Sequence, residues 1–368
     1  MKSTAALLTA TGSEFTLAEI DIDGPAAGEV LVQIAAAGLC HTDLAARDGV
    51  LPIAFPGVVG HEGAGTVIAV GDGVTKVAPG DRVSLTFNSC GTCATCTSGR
   101  QSYCENFLAL NYGGVRADGS RPLSGADGPV SGMFFGQSSF ATVALANERN
   151  TVKVDSDIPF ELLAPLGCGI QTGVGAVTRS LAAEKGSTIA IVGGGSVGLS
   201  AVMGAVLQEC AEIIVVELTQ ARRELALELG ATHALDPRDG DVAERIRQIV
   251  PGGVNYVVDT TGIPSVIEGL IPAVAVRAVI GLIGVPSDPT AAVGYNIIAG
   301  LTRGLTITGI IEGDSVPDDF IPELVEHYRA GRLPLDKLVK TYPFTAINTA
   351  VADQHDGLTV KPVLTFEG

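Results

Sequence analysis

Thr188-Ile189-Ala190-Ile191-Val192-Gly193-Gly194-Gly195-Ser196-Val197-Gly198 is the stretch on which the architecture rests. Thr188–Val192 reads as a buried strand, and Ser196 to about Gln208 as a helix apolar on most sides. Between them Gly193, Gly195 and Gly198 fit G-x-G-x-x-G. In a chain with 47 glycines that pattern alone is weak; its seat between a strand and a helix gives it meaning. Gly193 permits the tight turn, Gly195 lets the backbone approach a pyrophosphate, and Gly198 lets the helix pack on the strand. Gly194, Ser196 and Val197 complete the turn, and the helix N-terminus faces the anion. Glu217 closes the next strand, Glu212–Glu217, where a carboxylate accepts bonds from the adenosine ribose hydroxyls. A carboxylate there repels a 2′-phosphate, so the expected cofactor is NAD, preferred over NADP.

Further along, Ala221–Leu229 reads as a helix closed by Gly230, and Asn255–Asp259 and Ala278–Ile283 as strands. Strand–helix alternation implies a doubly wound parallel sheet. Upstream, near residues 1–150, the style is all-β. Glu29–Ile34 alternates, Gly65–Val70 is closed by Gly71-Asp72-Gly73, and Pro79-Gly80-Asp81 turns into a strand over Val83–Thr86. The tail from about Pro317 carries a helix, Pro322–Arg329, and a last strand, Pro362–Phe366.

With 368 residues, 46% of them hydrophobic, the chain can fill two cores, at roughly 150 residues per domain. Acidic residues outnumber basic ones, 40 to 23, for a net charge of −17. No basic stretch tracks phosphates, which argues against nucleic acid and against anionic membrane surfaces. The N-terminus shows no signal peptide and no apolar run of about 20 residues exists, so the expected setting is the cytoplasm. There, seven cysteines read as metal ligands or core residues rather than disulfides.

Cys90-Gly91-Thr92-Cys93-Ala94-Thr95-Cys96 followed by Cys104 is C-x2-C-x2-C-x7-C. Four thiolates this close can form a tetrahedron around zinc; iron–sulfur is the alternative. A closed sphere polarises no substrate, so the expected role is structural. Gly38-Leu39-Cys40-His41-Thr42-Asp43, Gly60-His61-Glu62 and Gly167-Cys168-Gly169 each offer a soft or imidazole ligand beside glycine. Taken singly, Cys40 and Cys168 read as core residues and His61 as an ordinary histidine; nothing in their spacing joins them. Cys210, placed in an apolar helix, reads as core.

Together these motifs resemble the zinc-containing medium-chain alcohol dehydrogenase family over nearly the whole chain. The most specific part is Gly60-His61-Glu62-Gly63-Ala64-Gly65, with Gly71 and Val74 following. Phe134-Phe135-Gly136-Gln137-Ser138-Ser139-Phe140-Ala141, Leu166–Gly173 and Cys40–Asp43 look most like the aryl (benzyl) alcohol dehydrogenase branch. The resemblance implies an α/β fold: a GroES-like β-rich catalytic domain over 1–169 with a return at 311–368, and a Rossmann doubly wound parallel-sheet domain over 170–310, with the active site in the cleft. It implies two zinc ions per chain. Cys40, His61 and Cys168 bind the catalytic one, with Glu62 behind it as a transient ligand, and Cys90, Cys93, Cys96 and Cys104 bind the structural one. Asp43 fixes the His61 tautomer and Thr42 takes the alcohol proton. His41 and Lys361 contact the pyrophosphate. Thr172 and Val197 hold the nicotinamide, whose carboxamide meets the backbone of Ile283, Gly284 and Val285 and that near Ile310–Glu312. Arg222 and Thr260 lie at the adenosine end, and Phe87 and Val285 line the alcohol pocket. Many family members carry a histidine where this chain has Ala45, so water reached through the ribose is expected to complete the proton relay.

The function implied is hydride transfer between a primary, aromatic alcohol and NAD, forming the aldehyde, in a homodimer or homotetramer. Terpenoid or aliphatic alcohols are the alternative. A zinc-free enone reductase would lack the ligand triplet, and a non-catalytic NAD-binding protein would not need Thr42 and Glu62.

Overall fold

A computed structural model describes residues 1–366. Two compact units emerge: Met1–Cys168 with the chain from Val316 onward, and Gly169–Ser315. The return to the first unit was expected at 311, but Ile311–Ser315 stay with the second. Their anchor is internal to that unit: Gln171 donates from Nε2 to Glu312 Oε2 at 3.2 Å and accepts from Ser315 Oγ at 3.0 Å.

The second unit carries a six-stranded parallel sheet. Its spatial order is His233–Leu235, Glu212–Val216, Thr188–Val192, Val254–Asp259, Val274–Leu282, Thr306–Gly309. The central strands are buried along their length, as a sheet covered on both faces requires. Sequence order reverses direction between Thr188–Val192 and Val254–Asp259. That is the switch point where such sheets open a crevice at their carboxyl ends. The helix Ser196–Leu207 starts there, apolar nearly all round because eight of its residues are buried. Cys210 is not in this helix, which ends at Leu207. It sits half-buried in the following turn with its Sγ 3.5 Å from Ser187 Oγ.

The first unit is built from two sheets. One runs Gly57–Val58, Lys2–Leu8, Thr16–Ile22, Leu123–Gly125, Gly128–Val130. The other runs Thr151–Lys153, Arg82–Leu85, Gly63–Val70, Glu29–Gly38, Lys361–Thr365, Val339–Pro343, with Val143–Asn147 also paired to Glu29–Gly38. Their inner faces share one core that includes Ile20, Val32, Ile34, Leu85, Phe140 and Leu145. The late helix spans Pro317–Arg329, five residues longer than read from the sequence. Pro317 sets the first turn, Asp318 and Asp319 complement its dipole, and Phe320, Ile321, Leu324 and Val325 bury one face, which carries the helix through Pro322. Among the described residues, no single helix is long and apolar enough to cross a membrane.

Candidate active site

The Glu29–Gly38 strand ends two residues before Cys40, which caps the helix His41–Arg47. His61 and Glu62 lead into the Gly63–Val70 strand, and Cys168 follows the turn Ala164–Gly167. Three separate segments thus converge, and the ligand atoms of Cys40, His61, Glu62 and Cys168 lie within 4.8 Å of one another. His61 and Glu62 are fully buried.

Asp43, also fully buried, organises this cluster. Its Oδ2 accepts from Cys40 N–H at 3.0 Å, and its Oδ1 accepts from Gly60 N–H at 3.0 Å and lies 2.7 Å from His61 Nδ1. One carboxylate therefore fixes two ligand segments and accepts a hydrogen bond from Nδ1–H of the ring. The other ring nitrogen, Nε2, is buried with no hydrogen-bond partner among the described residues. A buried nitrogen left so, beside two thiols, costs free energy unless something coordinates it. This donor set fits a zinc ion. Burial pushes the His61 pKa down, but the Asp43 charge and hydrogen bond outweigh it and leave the pKa well above the usual value, so the ring is a strong base for a metal. The Cys40 thiol is held well below its usual range, chiefly by hydrogen bonding with Cys168 against the cost of burial.

Lys361 is enclosed beside this cluster. Only 1% exposed, its Nζ pairs with Glu62 and donates to Leu39 O at 3.3 Å. The reason is electrostatic: a carboxylate buried behind a metal site needs a counter-charge. Burial raises the Glu62 pKa to about 7 against the pull of Lys361, and Glu62 helps hold Lys361 at about 12 against its own burial. No sequence signal marks this pair, because its members stand 299 positions apart. His41 is exposed and Thr42 half-buried, its Oγ1 3.8 Å from Cys40 Sγ; Ala45 is buried. Phe87 is buried, Val285 exposed. Phe135 stacks on the His61 ring with centroids 4.5 Å apart, and Phe134 meets that ring edge-on at 5.7 Å. Tyr112 and Phe107 continue the aromatic cluster.

The second cluster is local. Cys90, Cys93, Cys96 and Cys104 also have sulfurs within 4.8 Å of one another. Backbone N–H groups of the same loop point at them: Cys93 N–H to Cys90 Sγ at 3.3 Å, Cys90 N–H to Cys104 Sγ at 3.2 Å, Asn106 N–H to Cys104 Sγ at 3.4 Å. Such donors pull the Cys90 pKa down to about 5, while burial pushes Cys96 up to about 12. Four thiols cannot all ionise at this spacing without a cation among them, and the set fits zinc.

In the second unit Gly193 takes φ +94°, which L side chains rarely adopt. A Cβ at Gly198 would meet Gly193 O at 1.8 Å, so that glycine serves internal packing. A Cβ at Gly195 would meet nothing within 4 Å. Internal packing does not require that glycine, whereas close approach of a ligand does. Ser196 Oγ, at the helix start, is buried with no hydrogen-bond partner among the described residues. Glu217 accepts from Gly194 N–H at 2.5 Å and Thr219 N–H at 2.7 Å. This turn fits a dinucleotide. Val197 is half-buried on the same helix. Thr260 spends its hydroxyl on Val192 O at 2.7 Å, and Arg222 keeps a buried Nε with no hydrogen-bond partner among the described residues. The N–H groups of Ile283 and Gly284 donate to Asp259 O at 2.9 and 3.1 Å. Thr172 is buried, its hydroxyl 3.4 Å from the buried carboxylate of Glu312, a residue expected to act only through its backbone.

Residues 26–156 match the alcohol dehydrogenase GroES-like domain, and residues 196–328 match the zinc-binding dehydrogenase domain. The chain is 48% identical to a geraniol dehydrogenase of Castellaniella defragrans, over 98% of this chain and 97% of that one. Among solved structures it resembles a zinc-binding alcohol dehydrogenase domain protein from Burkholderia ambifaria, with TM-score 0.98 and 48% identity over the whole of both chains. Benzyl alcohol dehydrogenase from Acinetobacter calcoaceticus gives a TM-score of 0.96 at 40% identity, again over the whole of both. The buried ligand cluster and the glycine turn are thus features this chain holds as a member of the zinc-containing medium-chain alcohol dehydrogenase family.

Proposed function

We propose that this alcohol dehydrogenase oxidises primary aromatic alcohols to aldehydes with NAD, and holds two zinc ions per chain. Cys40, His61 and Cys168 hold the catalytic ion, with Glu62 behind it. Cys90, Cys93, Cys96 and Cys104 hold the structural one. The observation that carries the reading is the buried Nε2 of His61, which makes no hydrogen bond among the described residues and lies within 4.8 Å of two thiols. Zinc bound there supplies a field that lowers the pKa of a ligated hydroxyl, from ~16 to ~7 in the case of water. That is ~12 kcal/mol at 1.36 kcal/mol per unit, far more than a threonine can provide.

Thr42 accordingly acts as a conduit, taking the hydroxyl proton at Oγ1. Asp43 holds the His61 ring in one tautomer. Lys361 neutralises Glu62. In the second unit, the Gly193–Gly198 turn and the Ser196 hydroxyl bind the pyrophosphate, and Glu217 binds the ribose. The Glu217 charge disfavours a 2′-phosphate, which supports NAD over NADP.

Aromatic preference is supported by the Phe134–Phe135 wall against His61 and by the benzyl alcohol dehydrogenase likeness. The geraniol dehydrogenase likeness supports a terpenoid alcohol as the second reading. The deciding experiment follows reduction of NAD and NADP with benzyl alcohol, geraniol and ethanol side by side. Fastest turnover with benzyl alcohol and NAD is expected. Turnover on geraniol alone would transfer the assignment to terpenoids, and equal use of NADP would remove the role given to Glu217.

The protein is further proposed to self-associate. Ile297, Ile298 and Leu301 on the helix Ile297–Arg303 are 73 to 80% exposed, and Thr306–Gly309 is an edge strand of its sheet. Such surface favours association with another chain. Light scattering should report a dimer or tetramer; a monomer would contradict this.

A further inference from the structure

Gln137 has no part in the reaction described above, yet it is 1% exposed and uses every polar group it has. Its Oε1 accepts from Gly63 N–H at 3.0 Å. Its Nε2 donates to His61 O at 2.9 Å and to Thr86 O at 3.1 Å. The peptide groups on both sides of Glu62, the first of them carrying the carbonyl of His61, are therefore held by one side chain. Thr86, the other residue it grips, donates its hydroxyl to Gly167 O at 2.7 Å, directly before Cys168. Asn150 seconds the arrangement, donating from Nδ2 to Thr86 O at 3.1 Å and accepting from Thr86 N–H, through its backbone O, at 2.9 Å.

The segment that delivers Gln137 is itself forced into shape. Met133, Phe135 and Ser138 take φ of 56°, 52° and 56°, a region costly for residues other than glycine. Ser138 Oγ donates to Val58 O at 2.7 Å and Ser139 N–H to Gly60 O at 2.8 Å, which clip the turn to the strand leading to His61. Close approach is required on the other side as well. A Cβ at Gly167 would meet Leu85 O at 2.1 Å, and one at Gly63 would meet Ser139 Cβ at 2.7 Å. The strain thus keeps a buried amide between segments that carry His61 and Cys168, 107 positions apart in sequence.

We propose that Gln137 and Thr86 form one positioning unit that sets the spacing of His61 and Cys168, and so the affinity of this site for its metal. This rests on the reading of Cys40, His61 and Cys168 as a zinc site. Gln137→Met keeps the side-chain length and removes all three hydrogen bonds. Thr86→Val keeps the shape and removes the hydroxyl that ties Thr86 to Gly167. Thr86→Ser restores the hydroxyl.

The test uses the purified full-length protein. Metal content is measured first, then metal release to a chelator and the visible ligand-field spectrum of the cobalt(II)-substituted protein. Wild type should hold two metals per chain; a single one would overturn the zinc-site reading itself. Gln137→Met should weaken one of the two metals by about 10- to 100-fold, the usual cost of losing a group that orients a ligand, and leave the other unchanged. Thr86→Val should do so more weakly, Thr86→Ser should recover wild-type release, and the double variant should be no worse than Gln137→Met alone. The cobalt bands of the affected site should shift with the release rates. Release and spectrum unchanged in folded Gln137→Met and Thr86→Val protein would overturn the proposal while leaving the zinc site intact, as would additive effects in the double variant. Should Gln137→Met fail to fold, the comparison of Thr86→Val with Thr86→Ser decides the matter alone.

Discussion

The two ligand clusters of this protein have the same density of donor atoms and opposite origins. Cys90, Cys93, Cys96 and Cys104 come from one loop, are partly accessible except for the buried Cys104, and have sulfurs stabilised by that loop's own N–H groups. Cys40, His61 and Cys168 come from three segments, and His61 and Glu62 are fully buried. Their support is side chains outside the ligand set, Asp43 from beside Cys40 and Gln137 and Lys361 from distant segments. A local cluster needs little more than its spacing. A dispersed one needs the rest of the unit already folded around it. Losing a ligand should therefore cost function in the dispersed case and stability in the local case.

Removing one ligand from each is the severest way to break that contrast. On the function proposed above, Cys168→Ala should retain NAD binding and the four-cysteine metal. It should lose turnover by more than the roughly 10²- to 10³-fold that one hydrogen-bond donor is worth at an oxyanion. Cys93→Ala should keep its turnover per folded molecule and lose thermal stability. A metal present at about 1,000 times its dissociation constant contributes ~4 kcal/mol, which in a unit of this size corresponds to roughly 8 to 16 °C. Metal analysis, calorimetry and turnover on the same preparations check both. Normal turnover in metal-analysed Cys168→Ala would refute the ligand assignment. An unshifted melting temperature in Cys93→Ala would refute the structural role.

The same contrast explains what the sequence reveals. The four-cysteine loop and the glycine turn are readable because each is local: spacing within a dozen residues is already geometry. The strands Gly63–Val70 and Thr188–Val192 are readable for a related reason, since a run of apolar residues reports burial directly. The Cys40, His61 and Cys168 set is visible only through resemblance, because nothing in a linear pattern brings positions 40 and 168 together. The resemblance places Lys361 among the pyrophosphate contacts, but no linear pattern pairs it with Glu62: that pairing is set by the last strand lying beside Glu29–Gly38. Glu312 and Gln137 are harder still: a polar residue in an apolar run gives no sign of which backbone groups it will meet. The helix from Pro317 is misread for a smaller reason. Pro322 looks like a start, while the four buried residues that make the helix worthwhile straddle it.

A milder change sharpens the contrast further. Asp43→Asn keeps the size of the side chain and removes its charge. The amide can still accept from Gly60 or Cys40 N–H, but it no longer secures the Nδ1 proton of His61 with a full negative charge, and it can present an N–H to that nitrogen instead. The ring then loses basicity and its tautomer preference, both of which favour Nε2 as a donor to metal. Metal affinity at this site should fall by about 10- to 100-fold, or ~1.4 to 2.7 kcal/mol. The fully buried position of Asp43 keeps water from compensating. In the local cluster the nearest counterpart is Thr95, whose Oγ1 lies 3.1 Å from Cys93 Sγ on the loop itself. Thr95→Val should cost that cluster no more than the ~1 kcal/mol of one ordinary hydrogen bond, because the backbone N–H donors remain. Chelator competition on the two variants measures both quantities. Equal losses would mean that the dispersed site is no more dependent on its supporting side chains than the local one. A loss confined to Asp43→Asn would show that its geometry is held from outside the ligand set.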